Sequence, residues 1–343
     1  MTQPLNPKPA PHQLEVAPYY LFILAGPIGV YLLLEFILKG FGDVSVVIPV
    51  TEFAEPARIL ELVGRYKFLA AFAVFASVST AIIAIFLIDL MTNFTRRTVI
   101  FAGIAIVLSA AFGLVMSVFE PAALEDFQTY FLLGRRFFES ALSVGASGQC
   151  ADVIGPCDDR TALRLYLKLS DPINTLTSFG AATALTGMVL SLATPLKSRA
   201  APTDLAARAR DLQAARVISQ RYLYCAGVLL TTGMAFVLSW MHWPTALIAE
   251  EGLRALHNDL IGSITLYIGV GYSVMILSAY LPVMLIQTRR TEVLRIAIES
   301  GTFVDPPELP EVDYINALKA ILAIVSPILA SAVGSLGQTF MFS

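Results

Sequence analysis

The stretch FLAAFAVFASVSTAIIAIFLIDLMTNFTRRTVIFAGIAIVLSAAFGLVMSVF, residues 68–119, decides the fold. Phe68 to Met91 carries a single charge, Asp89, and Thr98 to Phe119 carries none. A hydrocarbon core about 30 Å thick is crossed by roughly 20 residues of helix. Each run is therefore a membrane span, and Thr92 to Arg97 is the tight turn between them. That turn holds Arg96 and Arg97. Lys and Arg in short loops are retained on the cytoplasmic side, so the hairpin also sets the direction of threading.

Four further runs of the same kind flank it: Pro18 to Leu38, Pro172 to Ala193, Tyr222 to Met241 and Leu260 to Gln287. A seventh apolar stretch, Ala317 to Phe342, follows a Pro-rich acidic linker, residues 305–313. The predicted fold is an all-α polytopic membrane protein with six transmembrane helices, a possible seventh at the C-terminus and a small extracytoplasmic cap. Composition agrees: hydrophobic residues make up 56% and charged residues 14%, against about 25% charged in soluble domains. Mean hydropathy is +0.71. The formal charge of -3 and the confinement of basic residues to the flanks of apolar runs leave no nucleic-acid footprint. The first 17 residues hold four Pro, one Lys and no small-residue cleavage site after the first apolar run. They do not resemble a secretory signal, and the first span is expected to be retained.

With six alternating spans, Arg96 and Arg97, the basic segment 196–221 and Arg289, Arg290 and Arg295 all fall on one side. Most carboxylates fall on the other. The orientation predicted is a cytoplasmic N-terminus in a bacterial inner membrane, with the loop 120–171 outside. Tyr19 and Tyr20 on the inner side, with Trp240 and Trp243 on the outer, sit where amphipathic rings favour the headgroup level. The domain division is a transmembrane unit 1–304, the linker 305–313 and a C-terminal helix 314–343.

The outer loop reads as an ordered cap. Phe127, Phe131, Phe138 and Leu142 recur at helical spacing. Leu163, Leu165, Leu167 and Leu169 alternate with polar residues in a way that fits a strand as well as a helix, and Val44 to Val50 is a β-branched run that could pair with them. Cys150 and Cys157 flank a Gly-rich turn, and an oxidising compartment favours a disulfide between them. Cys225 reads as a small buried apolar residue. The inner segment Lys197 to Arg221 is an Arg- and Ala-rich helix leading into the fifth span. It could meet anionic headgroups or stay solvated and enforce topology.

Chemistry-bearing groups are sparse. Gly145, Ala146, Ser147 and Gly148 resemble the GxSG motif of the rhomboid intramembrane proteases. That family opens a transmembrane helix with its Ser and pairs it with a His inside a later one, whereas Ser147 lies in a polar loop. The four residues read as a flexible turn. His242 and His257, with Glu250, Glu251 and Asp259 nearby, match no metal-ligand spacing and read as exposed interfacial histidines. No carboxylate or His lies at mid-span, where ion-driven carriers keep such groups. No catalytic residue, metal site or cofactor is predicted.

The spans do hold faces of small and hydroxyl residues. Thr177, Gly180, Thr183, Gly187 and Ser191 share one in the fourth span, and Gly262, Thr265 and Gly269 another in the sixth. Such faces pack helices closely or line a water path. In the C-terminal stretch, Ala323, Ser326, Ala330 and Gly334 form a small face opposite a bulky stripe that includes Leu322. Gly26, Pro27 and Gly29 are expected to interrupt the first span. The functional expectation is a non-enzymatic homo-oligomeric channel or membrane-perturbing protein. The alternatives are a sensor, anchor or assembly scaffold, or a transporter of an uncharged solute. Partners expected are membrane lipids, further copies of the chain, and a protein at the outer cap or the basic inner loop.

Overall fold

The computed structural model describes residues 14–41, 54, 57–117, 160–195, 205–300 and 314–341. The Val44–Val50 run, the helical Phe spacing of the cap, Ser147, the Cys150–Cys157 pair and the linker 305–313 lie outside the described residues. Among the described residues seven helices carry the fold: α1 (Ala25–Phe41), α2 (Ala57–Asn93), α3 (Arg96–Ser117), α4 (Arg160–Leu190), α5 (Leu205–Met241), α6 (Glu251–Glu299) and α7 (Tyr314–Met341). The 3-10 segment Pro18–Leu24 precedes α1, and the 3-10 segment Trp243–Leu247 joins α5 to α6. A two-residue antiparallel ladder pairs β1 (Leu14–Glu15) with β2 (Thr194–Pro195).

Among the described residues, four stretches are long and apolar enough to cross a membrane: Leu62–Asn93, Leu205–Leu247, Glu251–Glu299 and Ile315–Ala332. Pro18–Leu34 and Thr175–Leu190 are shorter apolar helices. The faces turned outward carry Ile85, Ile88, Ile100, Ile104, Val107 and Leu108, all exposed. A continuous apolar exterior of this kind is a liability in water and the normal condition in lipid. These helices fit a membrane protein.

Helix α4 sits at the centre, against α2, α3, α5 and α6. Nearly every side chain from Gly180 to Leu192 is buried, which its small residues permit: a Cβ on Gly180 would lie 3.4 Å from Ser79 and 3.5 Å from Leu229. A helix apolar all round belongs inside a bundle. Helices α5, α6 and α7 form the most extensively packed trio, while α1 lies against α6, with the Tyr267 hydroxyl donating to the Leu34 carbonyl at 2.5 Å. Close approach is required where Gly26 meets the Ser278 backbone, 3.2 Å from where a Cβ would stand.

Two local expectations are corrected. The alternating run Leu163 to Leu169 is helical, the first turns of α4. It holds no β-branched residue and consists largely of Leu, Arg, Lys and Tyr, which propagate a helix once one has started. The first span changes character at Leu24, before Gly26, where the 3-10 turn gives way to α-helix. Pro27 then falls in the first turn of α1, where its missing N–H costs nothing. The basic segment runs into the fifth span as expected: from Leu205 onward it and the span are one 37-residue helix.

Candidate functional site: a charged end and a ring-sealed end

The N-terminal strand gathers several turns at one end of the bundle. Thr95 N–H donates to the Leu14 carbonyl at 3.0 Å, Val16 N–H donates to Thr98 Oγ1 at 3.1 Å, and Arg97 pairs with Glu15 at 3.4 Å. With the pairing of β1 to β2, the N-terminal segment, the α2–α3 turn and the end of α4 share a side. Arg290 of α6 joins them by donating to the Leu192 carbonyl at 2.9 Å and to the Tyr20 hydroxyl at 3.0 Å.

Beneath this end lies a layer of interhelical hydrogen bonds. Asp89, one turn before α2 ends, accepts from the Tyr222 hydroxyl at 2.7 Å and from the Arg221 guanidinium. The Tyr222 ring meets Phe86 edge-on at 6.0 Å and occupies the space above Gly187, where any Cβ would collide with it. Gln287, 3% exposed, joins α6 to α5 and to the end of α4. Its Nε2 donates to Ser191 Oγ at 3.0 Å and to the Ala215 carbonyl at 3.3 Å, and its Oε1 accepts from Ser219 at 3.4 Å. Thr291 accepts from Arg216 at 3.3 Å and donates to the Gln287 carbonyl at 2.9 Å. Buried amide and hydroxyl groups satisfied in this way specify one arrangement of helices. At the rim, Tyr20, Ile286, Arg289, Arg290 and Val293 line an open cleft of about 360 Å³.

The opposite end is sealed by rings. Trp243, fully buried, stacks on Phe68 at 5.2 Å, and Phe68 meets Phe236 at 5.4 Å. The turn reaches them because α2 offers Gly64, where a Cβ would lie 2.7 Å from the Trp243 carbonyl oxygen. The fold of this turn corrects the reading of the histidines. His257 is 1% exposed with Nδ1 3.0 Å from Thr245 Oγ1, and His242 lies beside Lys67 and Asn258 with both ring nitrogens buried. The Trp243–Leu247 turn folds back over them instead of projecting outward, and Arg254 clamps its end through the Ile248 carbonyl at 3.0 and 2.6 Å. Gly64, spaced to receive a Trp from a distant loop, is a signal no single-segment reading contains. Among the described residues no three of His, Cys, Asp and Glu converge.

The predicted small faces separate by neighbour. Gly180 meets α2 and α5, Gly187 meets Tyr222, and Ser191 meets Gln287. Thr183 donates to its own helix at the Gly180 carbonyl, 2.8 Å, and Thr177 is half-buried. On α6, Thr265 donates to the Ile261 carbonyl at 2.8 Å, Gly262 is half-buried, and a Cβ on Gly269 would lie 2.9 Å from the Pro327 carbonyl and the Ser331 hydroxyl. On α7, Ala323 lies on Gly227 and Ser326 accepts from Thr231 at 3.0 Å. Ala330 is half-buried and Gly334 continues the helix, while Leu322 is 49% exposed. These contacts order α7 parallel to α5 and antiparallel to α6, so its C-terminal end lies at the ring-sealed end. Comparison with protein-family models, curated proteins and solved structures finds no match.

Proposed function

We propose that this chain is a non-enzymatic anchor or assembly scaffold of the bacterial inner membrane, with six spans and α7 as a seventh. Its N-terminal segment is cytoplasmic and its residues 120–171 face an oxidising compartment in which Cys150 and Cys157 are joined. The observation that carries this reading is the continuation of α5 and α6 past the apolar zone. Leu260 to Thr288 is free of charge and about 43 Å long, which matches the roughly 40–45 Å of a bilayer with its headgroups. Helix α6 then runs on to Glu299, and α5 begins at Leu205. Ala209, Ala215, Thr291 and Leu294 are buried on these extensions, and Arg216 to Thr291 ties them together. The result is a two-helix stalk in the water phase whose outer faces show Arg210, Gln213, Val217, Arg295 and Ile296, a mixed surface of the sort a protein partner uses.

The homo-oligomeric channel, which rests on small faces lining a water path, has less support, because several of those residues are occupied by neighbouring helices of the same chain. The experiment that divides the readings has two parts. A photo-crosslinker placed at Gln213 in cells should give a discrete protein adduct, and the same group at Ile88 should give none. Purified protein in liposomes should pass no ions. Ion flux without an adduct at Gln213 would replace the scaffold by the channel.

A further inference from the structure

The cleft at the charged rim has the composition of an anion site. Two of its five lining residues are Arg, one is Tyr, two are aliphatic, and none is a carboxylate. Arg290 is held in place by its two hydrogen bonds and by stacking over the Tyr20 ring at 5.4 Å. A guanidinium has five N–H donors, so donors remain for a ligand. Arg289, exposed, makes no hydrogen bond or ion pair among the described residues. The acid one turn on, Glu292, is engaged by Arg295 at 3.3 Å. Two cations therefore meet here with no described counter-charge in the cleft.

Depth identifies the ligand class. Arg289 is the first charge after the apolar zone of α6, the level at which phospholipid phosphates lie. Ile286, on the membrane side of the Arg pair, gives the cleft an aliphatic wall continuous with a lipid-facing surface on which Leu285 is 61% exposed. Arg binds phosphoryl oxygens through paired charge-assisted hydrogen bonds. We propose that the cleft between Tyr20 and the Arg289–Arg290 pair binds a phosphoryl group, supplied by an anionic phospholipid whose acyl chains run from Ile286 toward the apolar zone of α6. This site rests on the same placement of the α6 apolar zone in the bilayer as the scaffold reading, but it needs no protein partner, so the two can fail separately.

The test uses the full chain, delipidated in neutral detergent and titrated separately with phosphatidylglycerol, phosphatidylcholine and inorganic phosphate, with bound species read by native mass spectrometry. Phosphatidylglycerol should be retained over phosphatidylcholine by about fivefold or more, the effect of one cation at a headgroup. Arg289→Gln should cut the preference by about fivefold, the share of one cation, and Arg295→Gln should keep it. Arg289 makes no described bond within the fold, so its variant should melt with the wild type in lipid-free detergent. Millimolar phosphate that fails to compete identifies the lipid as the source. Phosphate bound in place of phosphatidylglycerol, and lost in Arg289→Gln, assigns the same chemistry to a soluble phosphoryl compound. Equal retention of the two lipids, or a preference unchanged in Arg289→Gln, would overturn the site.

Discussion

The two ends of this bundle are closed by different physics. At the charged end, Asp89, Tyr222, Gln287, Ser191 and Arg290 join helices through hydrogen bonds of fixed direction. At the other, Phe68, Trp243 and Phe236 join them through buried ring area. Area is forgiving of chemistry and demanding of volume. Hydrogen bonds are the reverse, because a buried donor deprived of its acceptor cannot be satisfied by any apolar side chain. The two ends should therefore respond to opposite kinds of substitution.

The largest effect is expected at the ring seal. Trp243→Ala removes a fully buried indole and should destabilise by about 3–5 kcal/mol, read as a fall in the unfolding midpoint in detergent. Trp243→Phe should recover a large part of that loss, because ring area is what the site needs. At the charged end, Asp89→Ala leaves the Tyr222 hydroxyl without its acceptor and should cost about 1–3 kcal/mol. The Arg221 side chain, 44% exposed, can turn to water and adds little. Asp89→Leu, which restores volume, should not rescue it, whereas adding Tyr222→Phe to Asp89→Ala should, because both partners are then gone. If Asp89→Leu proved as stable as the wild type, the distinction between the ends would fail.

Much of this architecture is legible in sequence, and the residues show where legibility stops. The apolar runs and their polar turns mark out the helices because membrane helices must satisfy their own backbones, which is a local requirement. The common side of Arg96, Leu192 and Arg290 follows from counting spans, and the N-terminal ladder joins the corresponding turns. The burial of His242 and His257 was not legible, since it depends on a distant glycine, Gly64, that admits Trp243. The Asp89–Tyr222 bond spans 133 positions and matches no motif. The stripe on α4 was visible as a stripe, but its division among α2, α5 and Gln287 is set by tertiary packing alone.

A smaller effect isolates the amide. Gln287→Leu removes three hydrogen bonds from Ser191, Ala215 and Ser219 while keeping most of the volume. It should cost about 1–2 kcal/mol, less than the Asp89 variant, because Ser191 and Ser219 retain backbone acceptors at Met188 and Arg216. The smallest effect is a control on helix glycine itself. A Cβ on Gly103 of α3 meets nothing within 4 Å, so Gly103→Ala should be neutral or stabilising by up to about 1 kcal/mol. A large loss there would mean that the described packing of α3 is incomplete.

The central claim is that the small-residue faces are consumed inside one chain, and α7 tests it most directly. Thr231 Oγ1 of α5 and Ser326 Oγ of α7 lie 3.0 Å apart, within reach of the ~2.05 Å bond of a disulfide once both positions carry sulfur. In a chain with its native Cys150, Cys157 and Cys225 replaced by Ser, Thr231→Cys with Ser326→Cys should cross-link on mild oxidation. The account predicts a product of monomer mass that forms equally well at high dilution in detergent. A cross-linked dimer that disappears on dilution, or no cross-link at all, would contradict it and return α7 to the role of an oligomerisation helix.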